Sequence, residues 1–191
     1  MDRYYAYYAF LFTLFYTGLR PSEAVALRVK SVELATGTLF IERSRSLRAE
    51  GAPKTAAAAR VVRLTPRHSK ILRQIVEIGE APDDYLFKNT VGDPIDQRSF
   101  YKLFCTAQRS LGLRHRDLYA TKDTYVSIAL TKGVNLTWLS EQTGVSEGTL
   151  RAHYGRFIHA SRSDALELSK IDSKGAGSAR FCPSLAPQRS F

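Results

Sequence analysis

The sequence predicts an α+β domain, mainly α-helical, with a small three-stranded antiparallel sheet near its front. Three observations carry that prediction. Apolar residues recur at helical spacing over most of the chain, and strand-like stretches are confined to positions 32–65. The 191 residues, 44% of them hydrophobic and 11% aromatic, hold enough apolar material for one real core. The expected domain covers residues 1–172. From Ser173 onward the chain carries Gly, Ser, Ala and Pro with no acidic residue and no apolar period, so 173–191 is expected to be a disordered tail.

The elements follow in order. Residues 3–17 read as a long aromatic helix closed by Gly18. Between Tyr4 and Leu19 there is no charge, which imitates a membrane span. The run is shorter than the roughly 20 residues a span needs. It also contains Tyr4, Tyr5, Tyr7 and Tyr8 and lacks the basic start and cleavage site of a signal peptide, so it is read as a buried helix. Pro21 suits the first turn of a short helix over 22–27, with Glu23 favourably close to its N-terminus. Strands are expected at 32–34, 38–44 and 60–65. The first two are joined by Thr36-Gly37, and the third is reached through a basic loop.

Residues 67–78 place Ile71, Leu72, Ile75, Val76 and Ile78 among basic positions, an amphipathic helix. A loop with Pro82, Gly92 and Pro94 leads to a helix over 97–111, with Phe100, Leu103, Phe104 and Ala107 on one face. Helices at 121–132, 135–142 and 147–153 follow; Gly133 ends the first, and Asn135 and Ser146 are suitable N-caps for the others. Residues 161–168 are expected to form a last helix.

The formal net charge is +10 and the isoelectric point about 9.8, which favours a polyanionic partner, either nucleic acid or an anionic membrane surface. Cys105 and Cys182 have neither metal-site nor disulfide-framework spacing, so a reducing compartment is the default.

Four segments narrow the function. They are Thr17-Gly18-Leu19-Arg20-Pro21-Ser22-Glu23-Ala24; Pro53-Lys54-Thr55 ahead of Arg60-Val61-Val62-Arg63-Leu64; Leu118-Tyr119-Ala120-Thr121-Lys122-Asp123-Thr124-Tyr125-Val126-Ser127; and Leu150-Arg151-Ala152-His153-Tyr154-Gly155-Arg156. In this order and spacing they resemble the motifs of the tyrosine recombinase (phage integrase) family in its bacterial-integrase form. The resemblance spans residues 17–156 and implies that family's catalytic domain.

It also implies a chemistry. A tyrosine phenol attacks a DNA phosphodiester, forming a 3′-phosphotyrosine and freeing a 5′-hydroxyl, with no metal or other cofactor. By resemblance Tyr154 is the nucleophile, Arg20 a phosphate clamp, Lys54 the general acid for the leaving oxygen, and Glu23 a supporting residue. Arginine suits such a clamp because its planar fork donates two parallel hydrogen bonds and stays charged. A phenol ionises near pH 10, so attack needs positive charge close by, and Arg151 and Arg156 flank Tyr154 in sequence. Arg43, Arg45, Arg151 and Arg156 are expected to touch the DNA backbone. The implied partners are double-stranded DNA and further copies of the chain in a synaptic tetramer, with no membrane. The implied location is the bacterial cytoplasm, on DNA.

The chain also departs from the family. Its box His-x-x-Arg-His reads Tyr119-x-x-Lys122-Asp123, and a late His or Trp is replaced by Val145 after Gly144. Tyr119 and Lys122 remain the candidate site residues at these positions. Lysine keeps the charge but loses the fork. Asp123 is expected to repel a bound phosphate unless it faces away or pairs with Lys122 or Arg20. His115 and His153 are out of register. These changes predict a weakened recombinase, with a DNA-binding remnant that no longer cuts as the alternative. A type IB topoisomerase shares the chemistry but fits the Tyr154 box less well, and a membrane-associated basic protein is the reading from another class.

Overall fold

Helix α1 (Tyr5–Thr17) is apolar around its whole circumference, and a helix of that kind needs neighbours on every side. In a computed structural model describing residues 4–45, 50–51, 59–76, 81–159 and 168, it has them on most sides, while Tyr8 and Tyr16 stay about half exposed. Ala9, Phe10, Phe12 and Leu14 are buried, and α1 packs against α2 (Pro21–Ala24), α3 (Pro66–Val76) and α5 (Ala120–Thr131). Among the described residues no helix is long and apolar enough to cross a membrane. One unit spans Met1–Ser161; of the second, Arg162–Phe191, only Leu168 is described. The expected last helix and tail therefore lie outside the described residues, apart from Leu168.

The expected antiparallel sheet is present, in the order β1 (Val32–Glu33), β2 (Thr38–Ile41), β5 (Arg60–Arg63). Leu39 pairs with Val32 on one side and Val62 on the other. Strand β5 alternates: Val62 is fully buried whereas Val61 is exposed, so Arg60 shares the inward side of Val62. The expected second strand, 38–44, ends already at Ile41, and the expected basic loop after it is partly ordered. Ser44–Arg45 (β3) and Glu50–Gly51 (β4) form a separate two-stranded ribbon, and the residues after it, including Lys54, lie outside the described set.

Helix α3 buries His68, Ile71, Leu72 and Ile75 and exposes Arg67, Lys70 and Arg73. Helix α4 (Gln97–Ser110) starts on an Asp96 cap that accepts from the Ser99 amide at 2.8 Å. Its inner face differs from the expected one. Phe100 and Gln108 are buried and Tyr101 and Phe104 partly so, whereas Leu103 is 51% exposed and Ala107 is exposed. The face runs along positions 100, 104 and 108, because the buried Gln108 is needed inside. Its amide accepts from the Arg116 amide and donates to the Arg116 carbonyl, fastening the turn after the helix. Helices α5, α6 (Leu136–Thr143) and α7 (Glu147–His159) enclose a second cluster of Val126, Leu130, Leu139 and Leu150. Helix α7 runs six residues beyond the expected end at 153.

His68 is the one buried side chain among the described residues with an unpartnered polar atom, Nδ1. Thr13 Oγ1 donates to the Ala9 carbonyl, so it accepts from His68 Nε2 at 2.9 Å, which makes Nε2 the protonated nitrogen and leaves Nδ1 as a bare lone pair. Burial lowers the imidazole pKa to about 4 from its ordinary 6.5. The unfolded chain therefore binds the extra proton more readily, and stability falls as pH drops from about 6.5 to about 4. The expected loss is at most about 3 kcal/mol. His68→Gln, which keeps a donor for Thr13 but cannot titrate, should flatten this acid limb in unfolding curves measured across that range.

Candidate active site

The turn after α1 places the first candidate residue. Gly18 closes the helix at φ 66°, and a Cβ there would sit 2.5 Å from the Tyr125 ring and 3.1 Å from Thr143. Only glycine lets α1 end this close to α5 and α6. Leu19 is buried, and Arg20 then caps α2 in an extended conformation ahead of Pro21.

Glu23 is the hub of the site. It is 3% exposed, and its two oxygens accept from the Arg20 amide at 2.8 Å, Arg20 Nη1 at 2.9 Å, Arg60 Nη1 at 3.1 Å and Arg60 Nη2 at 2.9 Å. Burial pushes its carboxyl up, but the Arg60 fork, then the Arg20 amide and the Lys122 charge, hold it below the usual carboxylate range. Arg60 also donates from Nε to the Gln142 carbonyl at 3.2 Å, and its side chain is only 6% exposed. In the sequence it stands only as part of the strand motif, not among the expected site residues. The alternation of β5 was the available signal that it turns inward. Gln142 pairs through its amide with both backbone groups of Arg63, which ties α6 to the strand. At Gly144, φ 64°, a Cβ would sit 3.1 Å from the Arg60 guanidinium and crowd it.

Arg20 is half-buried. Burial opposes its charge, yet the hydrogen bond and charge of Glu23, with a further share from Tyr119, hold its pKa above the ordinary arginine value. It faces a groove of about 540 Å³ lined also by Arg45, Arg98, Tyr101, Asp117 and Tyr119. Arg45 is held in that groove. Its Nη2 donates to the Ile95 carbonyl at 2.7 Å, and its guanidinium lies 4.8 Å over the Tyr85 ring.

Lys122 is 1% exposed, with Nζ donating to the Thr143 carbonyl at 2.7 Å. Burial first, then repulsion from Arg20, lower its pKa to about 7, against the attraction of Glu23. It lies beneath the groove and offers no surface to a phosphate.

Tyr154 lies on α7, half-buried against the second cluster together with Val145. Its hydroxyl donates to Asp123 Oδ1 at 2.5 Å. Burial, then the hydrogen bond and negative charge of Asp123, then Tyr119, push the phenol well above its ordinary value. Tyr119 lines the groove with Arg20, and Asp123, next to Lys122 on α5, meets the Tyr154 hydroxyl. Asp123 thus pairs with neither Lys122 nor Arg20, but with the phenol. Arg151 and Arg156 do not ease its ionisation. Both are exposed, Arg151 facing Glu147 at 3.9 Å and Arg156 lying 4.7 Å over the Phe157 ring. Arg43 is exposed, as are His115 and His153.

The family model described as "Phage integrase family" matches residues 2–154. The chain is 25% identical over 171 residues to IntQ of Escherichia coli (strain K12), a protein named as defective, covering 75% of this chain and 43% of that protein. It is 23% identical over 160 residues to a protein named tyrosine recombinase of Pseudothermotoga lettingae, covering 83% of this chain and 52% of that one. It thus spans about half the length of these relatives. Among solved structures, a Tn1549 transposon integrase in complex with a circular intermediate DNA shares the fold, with a TM-score of 0.70 at 15% identity over 90% of this chain and 60% of that one.

Two variants check the electrostatics. Glu23→Gln leaves the buried Arg60 without a counter-charge and should cost about 3 kcal/mol or more in chemical denaturation. For Lys122, the unfolded chain holds the proton more tightly between the folded pKa of about 7 and the ordinary 10.5, so stability rises with pH across that window. Lys122→Met should remove that part of the rise, measured as melting temperature against pH.

Proposed function

The chain belongs to the phage integrase family, and on that premise we propose that it cuts and rejoins DNA at specific sites through a 3′-phosphotyrosine at Tyr154. One observation carries the reading. Arg20 and Tyr119 line the same groove, and Tyr119 is coupled electrostatically to Arg20 on one side and Tyr154 on the other. This shared neighbour supports reading Arg20 as the phosphate clamp and Tyr154 as the phenol that attacks the phosphate.

In this reading Arg20, oriented by Glu23, donates to the non-bridging oxygens, where charge grows in the transition state. Tyr119 is the second groove-facing donor. Lys122 acts from below through its charge, as a positioning residue. Lys54 keeps the role of general acid that its motif implies. The partner is double-stranded DNA, held along its backbone by Arg43, Arg45, Arg151 and Arg156, with Arg45 already fixed in the groove. The net charge of +10 supports a polyanionic partner. Action as a homo-oligomer on bacterial DNA in the cytoplasm completes the proposal.

A second reading is a remnant that occupies DNA without cutting it. The burial of Lys122 favours it, because the lysine that stands where the family has its second arginine lacks the fork and is spent on the Thr143 carbonyl. Loss of one such donor commonly slows a reaction about a hundredfold to a thousandfold.

Covalent trapping on a nicked suicide DNA substrate decides between them. The wild type should yield a protein–DNA adduct, and Tyr154→Phe should yield none while binding DNA with unchanged affinity. An adduct formed by Tyr154→Phe would remove Tyr154 from the chemistry. DNA binding without any wild-type adduct would establish the remnant.

A further inference from the structure

The phenol of Tyr154 has to lose its proton as it attacks phosphorus, and cationic help is absent where the sequence places it. Arg151 and Arg156 are directed to Glu147 and Phe157. Lys122 spends its ammonium on the Thr143 carbonyl. What faces the hydroxyl is a carboxylate, Asp123 Oδ1, as acceptor at 2.5 Å. That distance is within the reach required of a general base. Among the described residues Asp123 makes no salt bridge; the charge of its neighbour Lys122 acts on it only electrostatically, while the Lys122 ammonium itself bonds the Thr143 carbonyl.

We propose that Asp123 is the general base of the cleavage step, its carboxylate taking the phenolic proton of Tyr154 as the Tyr154 oxygen bonds to phosphorus. This assignment rests on the reading of Tyr154 as the nucleophile. The step balances. The Oη–P bond forms, the proton passes to Asp123, the P–O5′ bond breaks, and the departing O5′ takes a proton from a separate acid. In the rejoining step the O5′–P bond forms as the 5′-hydroxyl gives its proton back to that separate acid's conjugate base, the Oη–P bond breaks, and the neutral Asp123 carboxyl returns its proton to the departing phenolate.

The electrostatics follow the same course. Asp123 carries its negative charge before attack and loses it as the phosphoryl group gains negative charge, so the two charges do not accumulate together. A carboxylate beside the phosphate, which the sequence makes look adverse, becomes neutral at the moment the anion is largest. Its position explains how: Asp123 lies in the first turn of α5, one residue beyond Lys122, and its carboxylate is held by the Tyr154 hydroxyl on α7.

The test uses the full chain and the nicked suicide DNA. Asp123→Asn should slow covalent capture about a hundredfold or more, with DNA affinity equal to or tighter than wild type. Asp123→Glu, which keeps the base, should recover part of the rate. Fluorotyrosine at position 154, whose phenol is more acidic, should recover rate in Asp123→Asn far more than in wild type, an effect that a purely structural role for Asp123 does not produce. Capture by Asp123→Asn at the wild-type rate or faster overturns the proposal and makes the carboxylate a brake. A fluorotyrosine effect equal in the two backgrounds also overturns it. A wild type that never captures DNA overturns the underlying functional reading, and this assignment with it.

Discussion

The site depends on a single buried carboxylate. Glu23 collects four hydrogen bonds from the start of its own helix and from a strand residue 37 positions later. A carboxylate withdrawn from water this far is costly unless its lone pairs are filled and its charge matched, and both conditions are met here. The arrangement holds three elements in register: α2 through Arg20, β5 through the Arg60 fork, and α6 through the Arg60–Gln142 bond. Arg20 is thereby fixed at the groove while still a third exposed, which is what a phosphate donor requires. The two glycines at 18 and 144 serve the same end, each admitting a neighbour where a Cβ would intrude.

Beneath this layer the family's usual donor set is altered, and the alterations are physically coherent. Lysine at 122 fits a buried slot between Arg20, Arg60 and the Thr143 carbonyl, where its single ammonium finds one strong acceptor. Valine at 145 packs with Tyr154 into the apolar cluster under α7 instead of donating to a ligand. Aspartate at 123 takes the phenol. The result is a site with fewer phosphate donors and with a proton acceptor already in contact with the nucleophile's hydroxyl.

The helices were largely legible in the sequence because their signals are local. Apolar period, a glycine at the C-cap and an Asp or Asn at the N-cap act within a few residues, as Gly18, Asp96 and Asn135 show. The inner face of α4 was misplaced because Gln108 is polar yet buried; its reason to be inside is the backbone of Arg116, which no periodicity reveals. The β3–β4 ribbon leaves no mark in the sequence, because its two short strands carry no apolar alternation.

The sequence by itself determined the fold class, the order of the four motifs, and the contact between Arg20 and Glu23, which lie three residues apart across one helical start. Those features depend on local geometry and on residue types in fixed spacing. Only the tertiary structure decided that Arg60 serves Glu23, that Lys122 points inward, and that the Asp123 carboxylate meets the Tyr154 phenol across 31 positions of chain. Those choices depend on which way a helix or strand is rotated when it packs, and rotation is set by burial of the whole apolar surface rather than by the residues that meet in consequence.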